Sequence, residues 1–203
     1  MMVIAGPGDE VLLPIPCWVS YTEMIRLAGA TPVFVPVRED NYELDLDAIE
    51  QAITPRTKAI IICTPNNPTG AGYSKESLRK LAALAVAHDF FIVADEIYEK
   101  LVYDGAKHFS VASISQEVKD RTVTVNGFSK AYAMTGWRIG YAAARADVVK
   151  GIMAVQSQTT SATSAISQKA AVEALRGPQH DLEVMVEEFK RRKDYVVDRL
   201  NKI

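Results

Sequence analysis

A mostly parallel α/β sheet flanked by helices is the fold class this sequence predicts, and three patterns predict it. Short apolar runs alternate with stretches of helical periodicity. Several of those runs are continuously apolar, as in strands covered on both faces. Repeated strand–helix–strand order calls for crossover units, which put helices on both sides of a parallel sheet.

Taken in order, Val11-Leu12-Leu13 reads as a brief strand ending at Pro14, and Val33-Phe34-Val35 as a second strand bounded by Pro32 and Pro36. Asp45 to Ile53 reads as a short helix. Lys58 to Cys63 is a buried strand of the parallel type. Ser74 is an N-cap candidate, and Leu78, Leu81, Leu84 and Ala85 then recur at helical spacing up to His88. Residue 77 is Ser rather than the Glu or Gln of a full capping box. Phe90 to Ala94 and Thr122 to Val125 repeat the buried-strand pattern, and Ile139 to Ala143 reads as one more strand. From Asp147 onward the chain reads as helix almost throughout, broken at Gly177-Pro178. The segment from about His180 reads as one long amphipathic helix without a stop signal.

The sequence has 203 residues, enough for one domain with a real core. With 48% hydrophobic and 24% charged residues it has ordinary globular composition. A formal net charge of -2 offers no basic surplus for nucleic acid. Cys17 and Cys63 lack CxxC spacing, so neither a disulfide framework nor a zinc site is expected, and a reducing compartment is. No stretch approaches the ~20 apolar residues of a membrane span. The opening residues lack the basic segment and apolar run of a signal peptide. The expectation is a cytoplasmic protein without a membrane or nucleic-acid partner. His88, His108 and His180 share no spacing that suggests a metal site, and none is expected.

In such sheets ligands bind at the carboxyl ends of the strands. Pro16-Cys17-Trp18, Asn66-Asn67-Pro68-Thr69-Gly70, Asp95-Glu96-Ile97-Tyr98 and Gly127-Phe128-Ser129-Lys130 all follow predicted strands. They define one edge and one potential site.

These segments carry a family resemblance. Gly127-Phe128-Ser129-Lys130-Ala131-Tyr132-Ala133-Met134-Thr135-Gly136-Trp137-Arg138-Ile139-Gly140 resembles the lysine-attachment motif of class I pyridoxal-phosphate-dependent aminotransferases. Asn67-Pro68-Thr69-Gly70 resembles their asparagine loop, and Asp95-Glu96-Ile97-Tyr98 their aspartate and tyrosine element. Pro16-Cys17-Trp18-Val19-Ser20-Tyr21 is similar to the aromatic stacking segment of the bacterial aspartate aminotransferases. Order and spacing agree, and the likeness runs from Gly8-Asp9-Glu10-Val11 to Arg191-Arg192-Lys193-Asp194.

The resemblance implies an aspartate-aminotransferase-like large domain of fold type I, incomplete at both ends. Residues 1–177 would be its central part, and 178–203 a long helix leading toward a small domain. It implies pyridoxal 5'-phosphate as cofactor, an amino acid and a 2-oxo acid as substrates, with aspartate and 2-oxoglutarate favoured, and a homodimer at full length. Another enzyme of the same cofactor class, or a chain too short to turn over alone, are the alternatives. The family's phosphate-cupping turn and substrate-carboxylate arginine have no counterpart in this sequence.

Residue by residue, the resemblance makes Lys130 the Schiff-base lysine and proton carrier. Asp95 would face the ring nitrogen, where a carboxylate favours the protonated ring; read alone, it is equally a helix cap. Asn67 and Tyr98 would hydrogen-bond the phenolic oxygen; read alone, they are turn chemistry and a core aromatic. Arg138, eight residues after Lys130, would grip the phosphate. Trp18 would stack on the ring, with Ile97 on the opposite face or simply in the core. Many relatives have Ser where this sequence has Gly127, which implies one fewer phosphate contact.

Overall fold

The computed structural model describes all residues, 1–203. Six strands form one sheet: β1 Glu10–Ile15, β2 Thr31–Pro36, β3 Thr57–Cys63, β4 Phe91–Asp95, β5 Thr122–Gly127 and β6 Gly140–Ala143. Their order is β2-β1-β3-β4-β5-β6. Every neighbouring pair is parallel except β5 with β6, which is antiparallel. Seven α-helices surround it: α1 Ser20–Leu27, α2 Leu46–Ala52, α3 Lys75–Ala87, α4 Gln116–Asp120, α5 Ala146–Thr159, α6 Ala165–Arg176 and α7 His180–Leu200.

β3 shows why the central strands are apolar throughout. Ile60 and Ile62 point into a core shared with Leu12, Ile49, Leu78, Leu81 and Phe90. Ala59, Ile61 and Cys63 point the other way, among Val11, Leu13, Tyr21 and Ile25. A strand with both faces covered needs apolar residues at odd and even positions alike. Each fully buried Ile or Leu stabilises the fold by about 1.5–3 kcal/mol.

Several expected boundaries shift, for physical reasons. β1 runs through Pro14 to Ile15 instead of ending before it. Its pairing with β3 stops at Leu12, so Pro14 has a strand neighbour on one side only, where its missing N–H is tolerated. β2 contains Pro32 and Pro36 because it is the edge strand. The C-terminal helical region breaks at residues 160–164 as well as at Gly177-Pro178. α1 and α4 have no counterpart in the sequence reading; eight and five residues give too few turns for periodicity to show. Ser74 does cap α3, accepting from the Ser77 N–H at 3.1 Å, and Asp45 caps α2 from the Ala48 N–H at 3.0 Å.

The reversal between β5 and β6 shapes the site. Gly127 and Gly140 face each other across the pair. A Cβ on Gly140 would lie 2.9 Å from the Asn126 carbonyl oxygen. One on Gly127 would meet Ile97 Cδ1 at 3.1 Å and the Gly140 Cα at 3.2 Å. Glycine at both positions lets the strands close tightly, so the connection that carries Lys130 turns back over the sheet edge.

Candidate functional site

Four connections meet at the carboxyl edge of the sheet. The turn after β1 carries Trp18, the loop after β3 carries Asn67, the end of β4 carries Asp95 and Tyr98, and the connection from β5 to β6 carries Lys130 and Arg138. Together with Tyr21, Cys63, Ile97, Val125, Ser129 and Thr135 these six residues line one cavity of about 290 Å³. All six residues singled out from the sequence therefore converge, although they are spread over 121 positions of chain from 18 to 138.

Each connection is held in place by its own packing. Phe128, Ala131 and Met134 are buried, and Phe128 and Met134 cluster with Ala171 of α6. The Phe128 carbonyl accepts from the Tyr132 N–H at 3.2 Å and the Met134 N–H at 3.3 Å. Ser167 of α6 donates its hydroxyl to the Trp137 carbonyl at 2.8 Å. The arch between these anchors leaves Lys130 and Arg138 exposed. Lys130 Nζ stands 5.7 Å from the centroid of the Tyr98 ring, a cation over an aromatic face. Arg138 has a left-handed backbone, φ 50, and donates from one guanidinium nitrogen to the Thr135 carbonyl at 2.8 Å.

The asparagine loop is tied to the aromatic turn. Asn66 is buried, and its Nδ2 donates to the Pro16 carbonyl and to the Tyr73 hydroxyl, both at 3.2 Å. Gly70, at φ +74, closes the loop by donating to the Asn66 carbonyl at 2.9 Å. Asn67 is thereby presented to the cavity on a braced turn.

Asp95 ends β4, and both carboxylate oxygens have protein donors. Oδ1 accepts from the Ile97 N–H at 3.0 Å, and Oδ2 from the Tyr21 hydroxyl at 2.6 Å. Burial, then the proximity of Cys63 and Asp95, pushes the Tyr21 phenol far above its ordinary pKa, so it stays a donor at any working pH. Burial, followed by the charge of Asp95, pushes the Cys63 thiol up to about 11. The next residue, Glu96, is buried; it accepts from Ser110 Oγ at 2.7 Å and lies 3.1 Å from His108 Nε2. Spacing alone gave His108 no partner, because Glu96 and Glu99 come from a different segment. The His108 ring, Glu96 and Glu99 bring their polar atoms within 4.8 Å of one another beside the segment that carries Asp95.

Tyr21 and Cys63 are among the lining residues the sequence reading left without a role. The signal for Tyr21 is its place three residues after Trp18, where the chain turns into α1 and the Tyr21 N–H donates to the Trp18 carbonyl at 3.1 Å. Their rings meet edge to face, centroids 5.4 Å apart.

The donor set can be tested against pyridoxal phosphate on this geometry alone. The cavity lies at the small end of ligand pockets, ~300–1,000 Å³, as a single-ring ligand requires. It offers a primary amine for an aldehyde, a guanidinium for a phosphate and a carboxylate for a basic ring nitrogen. An amide and a phenol remain for a phenolic oxygen, with apolar flats on Trp18, Ile97 and Val125. The residues fit the group.

A parallel α/β sheet with a lysine, an aspartate and an arginine gathered at its carboxyl edge defines a cofactor-dependent enzyme scaffold. Over residues 1–203 the chain matches the family model described as aminotransferase class I and II, and it belongs to that family, which depends on pyridoxal phosphate. It is 48% identical over 202 residues to an aspartate aminotransferase of Bacillus sp. (strain YM-2), covering 99% of this chain and 52% of that protein. It is also 48% identical, over 205 residues, to a probable aspartate/prephenate aminotransferase of Aquifex aeolicus, covering 100% of this chain and 52% of that protein. Among solved structures, a Thermus thermophilus aspartate aminotransferase mutant superposes with a TM-score of 0.92 at 46% identity, over 99% of this chain and 53% of that one. The chain spans about half the length of the relatives it matches. No helix is long and apolar enough to cross a membrane.

Proposed function

We propose that this chain is the cofactor-binding portion of an aminotransferase that exchanges an amino group between aspartate and a 2-oxo acid, 2-oxoglutarate being the favoured acceptor. The observation that carries the proposal is the convergence of Lys130, Asp95, Asn67, Tyr98, Arg138 and Trp18 on one cavity. The names of the relatives, aspartate and aspartate/prephenate aminotransferases, favour an acidic amino acid as donor.

Pyridoxal phosphate, when bound, supplies an electron sink for the bond breaking at the substrate Cα. In the proposed arrangement Lys130 holds the cofactor through its amine and, once released, moves the Cα proton. Asp95 keeps a positive ring nitrogen paired, its carboxylate oriented by Ile97 and Tyr21. Asn67 and Tyr98 supply donors for the phenolic oxygen, and Arg138 a bidentate grip on phosphate. Trp18 covers one face of the ring and, with Ile97 opposite, excludes water.

Exposed apolar side chains, among them Met153 on α5, Ile166 and Leu175 on α6 and Phe189 on α7, support placing the chain in a larger homodimeric assembly. A cytoplasmic setting agrees with the two free cysteines. The test is a transamination assay of the protein carrying this chain, with 2-oxoglutarate as acceptor and a panel of amino donors. Aspartate is expected to lead the panel. Exchange with no donor at all would contradict the proposal, and preference for an aromatic donor would correct its substrate.

A further inference from the structure

Beyond the residues that would hold the cofactor directly, the geometry points to Tyr21 as the positioning residue that holds the Asp95 carboxylate aimed at the ring nitrogen. This rests on the reading of the cavity as a pyridoxal-phosphate site.

Asp95 is held by two donors of different origin. Its Oδ1 is fixed by the Ile97 N–H, a bond internal to its own turn. Its Oδ2 has one protein donor, the Tyr21 hydroxyl, which comes from α1, 74 residues away in sequence. The bond is short, 2.6 Å, in the range of a hydroxyl donating to a charged oxygen. Tyr21 is 5% exposed, and its ring sits in the core with Val11, Ile25 and Cys63. It cannot swing away to water without leaving that core.

The titratable neighbours of the Tyr21 hydroxyl are Asp95 on β4 and Cys63 on β3. A buried thiol pushed up to about 11 is neutral in the working range, as is the phenol. Cys63 Sγ shares the Tyr21 hydroxyl as a neighbour, but a neutral thiol is a weaker acceptor than a carboxylate, so the short bond goes to Asp95. The same ring braces Trp18 edge-on at 5.4 Å. One helix start therefore sets both the flat that covers the ring and the donor that fixes the carboxylate beneath it. With no donor on Oδ2, a proton shared between the ring nitrogen and Asp95 lies nearer the carboxylate, and the ring loses positive charge.

The test compares the protein carrying this chain with Tyr21→Phe, which keeps the ring and removes the hydroxyl, and with Tyr195→Phe as a control phenol, exposed on α7 and outside the cavity. Each is loaded with pyridoxal phosphate, and the pH midpoint of its visible absorbance is measured. Borohydride reduction then locates the attached lysine. Tyr21→Phe is expected to retain attachment at Lys130 but to titrate at higher pH, because a less charged ring leaves the neighbouring nitrogen easier to protonate. Its kcat should fall by roughly tenfold with little change in KM, as expected for one lost charge-assisted hydrogen bond. Tyr195→Phe should match the unaltered protein. Should Tyr21→Phe fail to fold, 3-fluorotyrosine placed at position 21 keeps the bond and sharpens the donor, and the midpoint should move down. A midpoint unmoved in the folded Phe variant, or in the fluorinated protein, overturns the role of Tyr21 while leaving the cofactor site intact. An unaltered protein that takes up no cofactor at Lys130 overturns the reading of the cavity itself.

Discussion

At Asp95 the protein has arranged donors on both carboxylate oxygens before any ligand arrives. That is preorganisation: the charge is held in place by bonds that need not reorganise during reaction. Asp95→Asn tests whether the charge matters or only the shape. The amide can still accept from the Ile97 N–H, so the cofactor should remain bound. It cannot pair with a protonated ring nitrogen as a carboxylate does, so turnover in the protein carrying this chain should fall by at least ~10²-fold. Near-normal turnover would reduce Asp95 to a turn-forming residue, the alternative its sequence position allows. The residues of the cavity were legible for different reasons. Lys130, Arg138 and Asp95 stand at strand ends in a recognisable spacing. Tyr21 was quoted in the same segment as Trp18 yet had no visible role, because its partner is 74 residues away and only the fold brings them together.

Among the elements, β1 shows how a charged residue begins a buried strand. Glu10 is 8% exposed and makes its bonds across to the segment before β3. It accepts from the Thr54 hydroxyl at 2.5 Å and from Arg56 Nε at 3.0 Å. The Thr54 bond first, and Arg56 second, hold the Glu10 carboxyl below the usual range. A lowered folded-state pKa means stability that is present above the unfolded value, ~4.3, and lost as pH falls through the folded value below it. Glu10→Gln should therefore unfold at lower denaturant than the unaltered chain at pH 7. The gap should close as the pH drops below ~4. Urea curves that stay separated by the same amount at pH 7 and pH 3 would show that Glu10 acts by packing rather than by charge. The strands themselves were readable because β3 and β4 are apolar on both faces and β5 alternates Thr with Val. Boundaries at Pro14, Pro32 and Pro36 were not, since proline is judged by its neighbours in the sheet, which sequence does not display. α1 was invisible because its N-cap position is Val19, without a capping side chain to announce it.

At the scale of the whole molecule, four strand ends deliver residues from distant parts of the chain to one cavity, and the tight Gly127–Gly140 closure turns the lysine arch over it. The architecture was within reach of the sequence because parallel-sheet topology places chemistry at one edge by rule, and the family because the segment from Gly127 to Gly140 resembles a known motif. The break at residues 160–164 and the buttressing of the arch by α6 emerged only in three dimensions. The account's central claim is that this cavity holds pyridoxal phosphate through Lys130. Its most direct test is to saturate the protein carrying this chain with pyridoxal phosphate, reduce it with borohydride and map the peptides. One pyridoxyl label is expected, on the peptide containing Lys130. A label on another lysine, or none on a saturated sample, would contradict it.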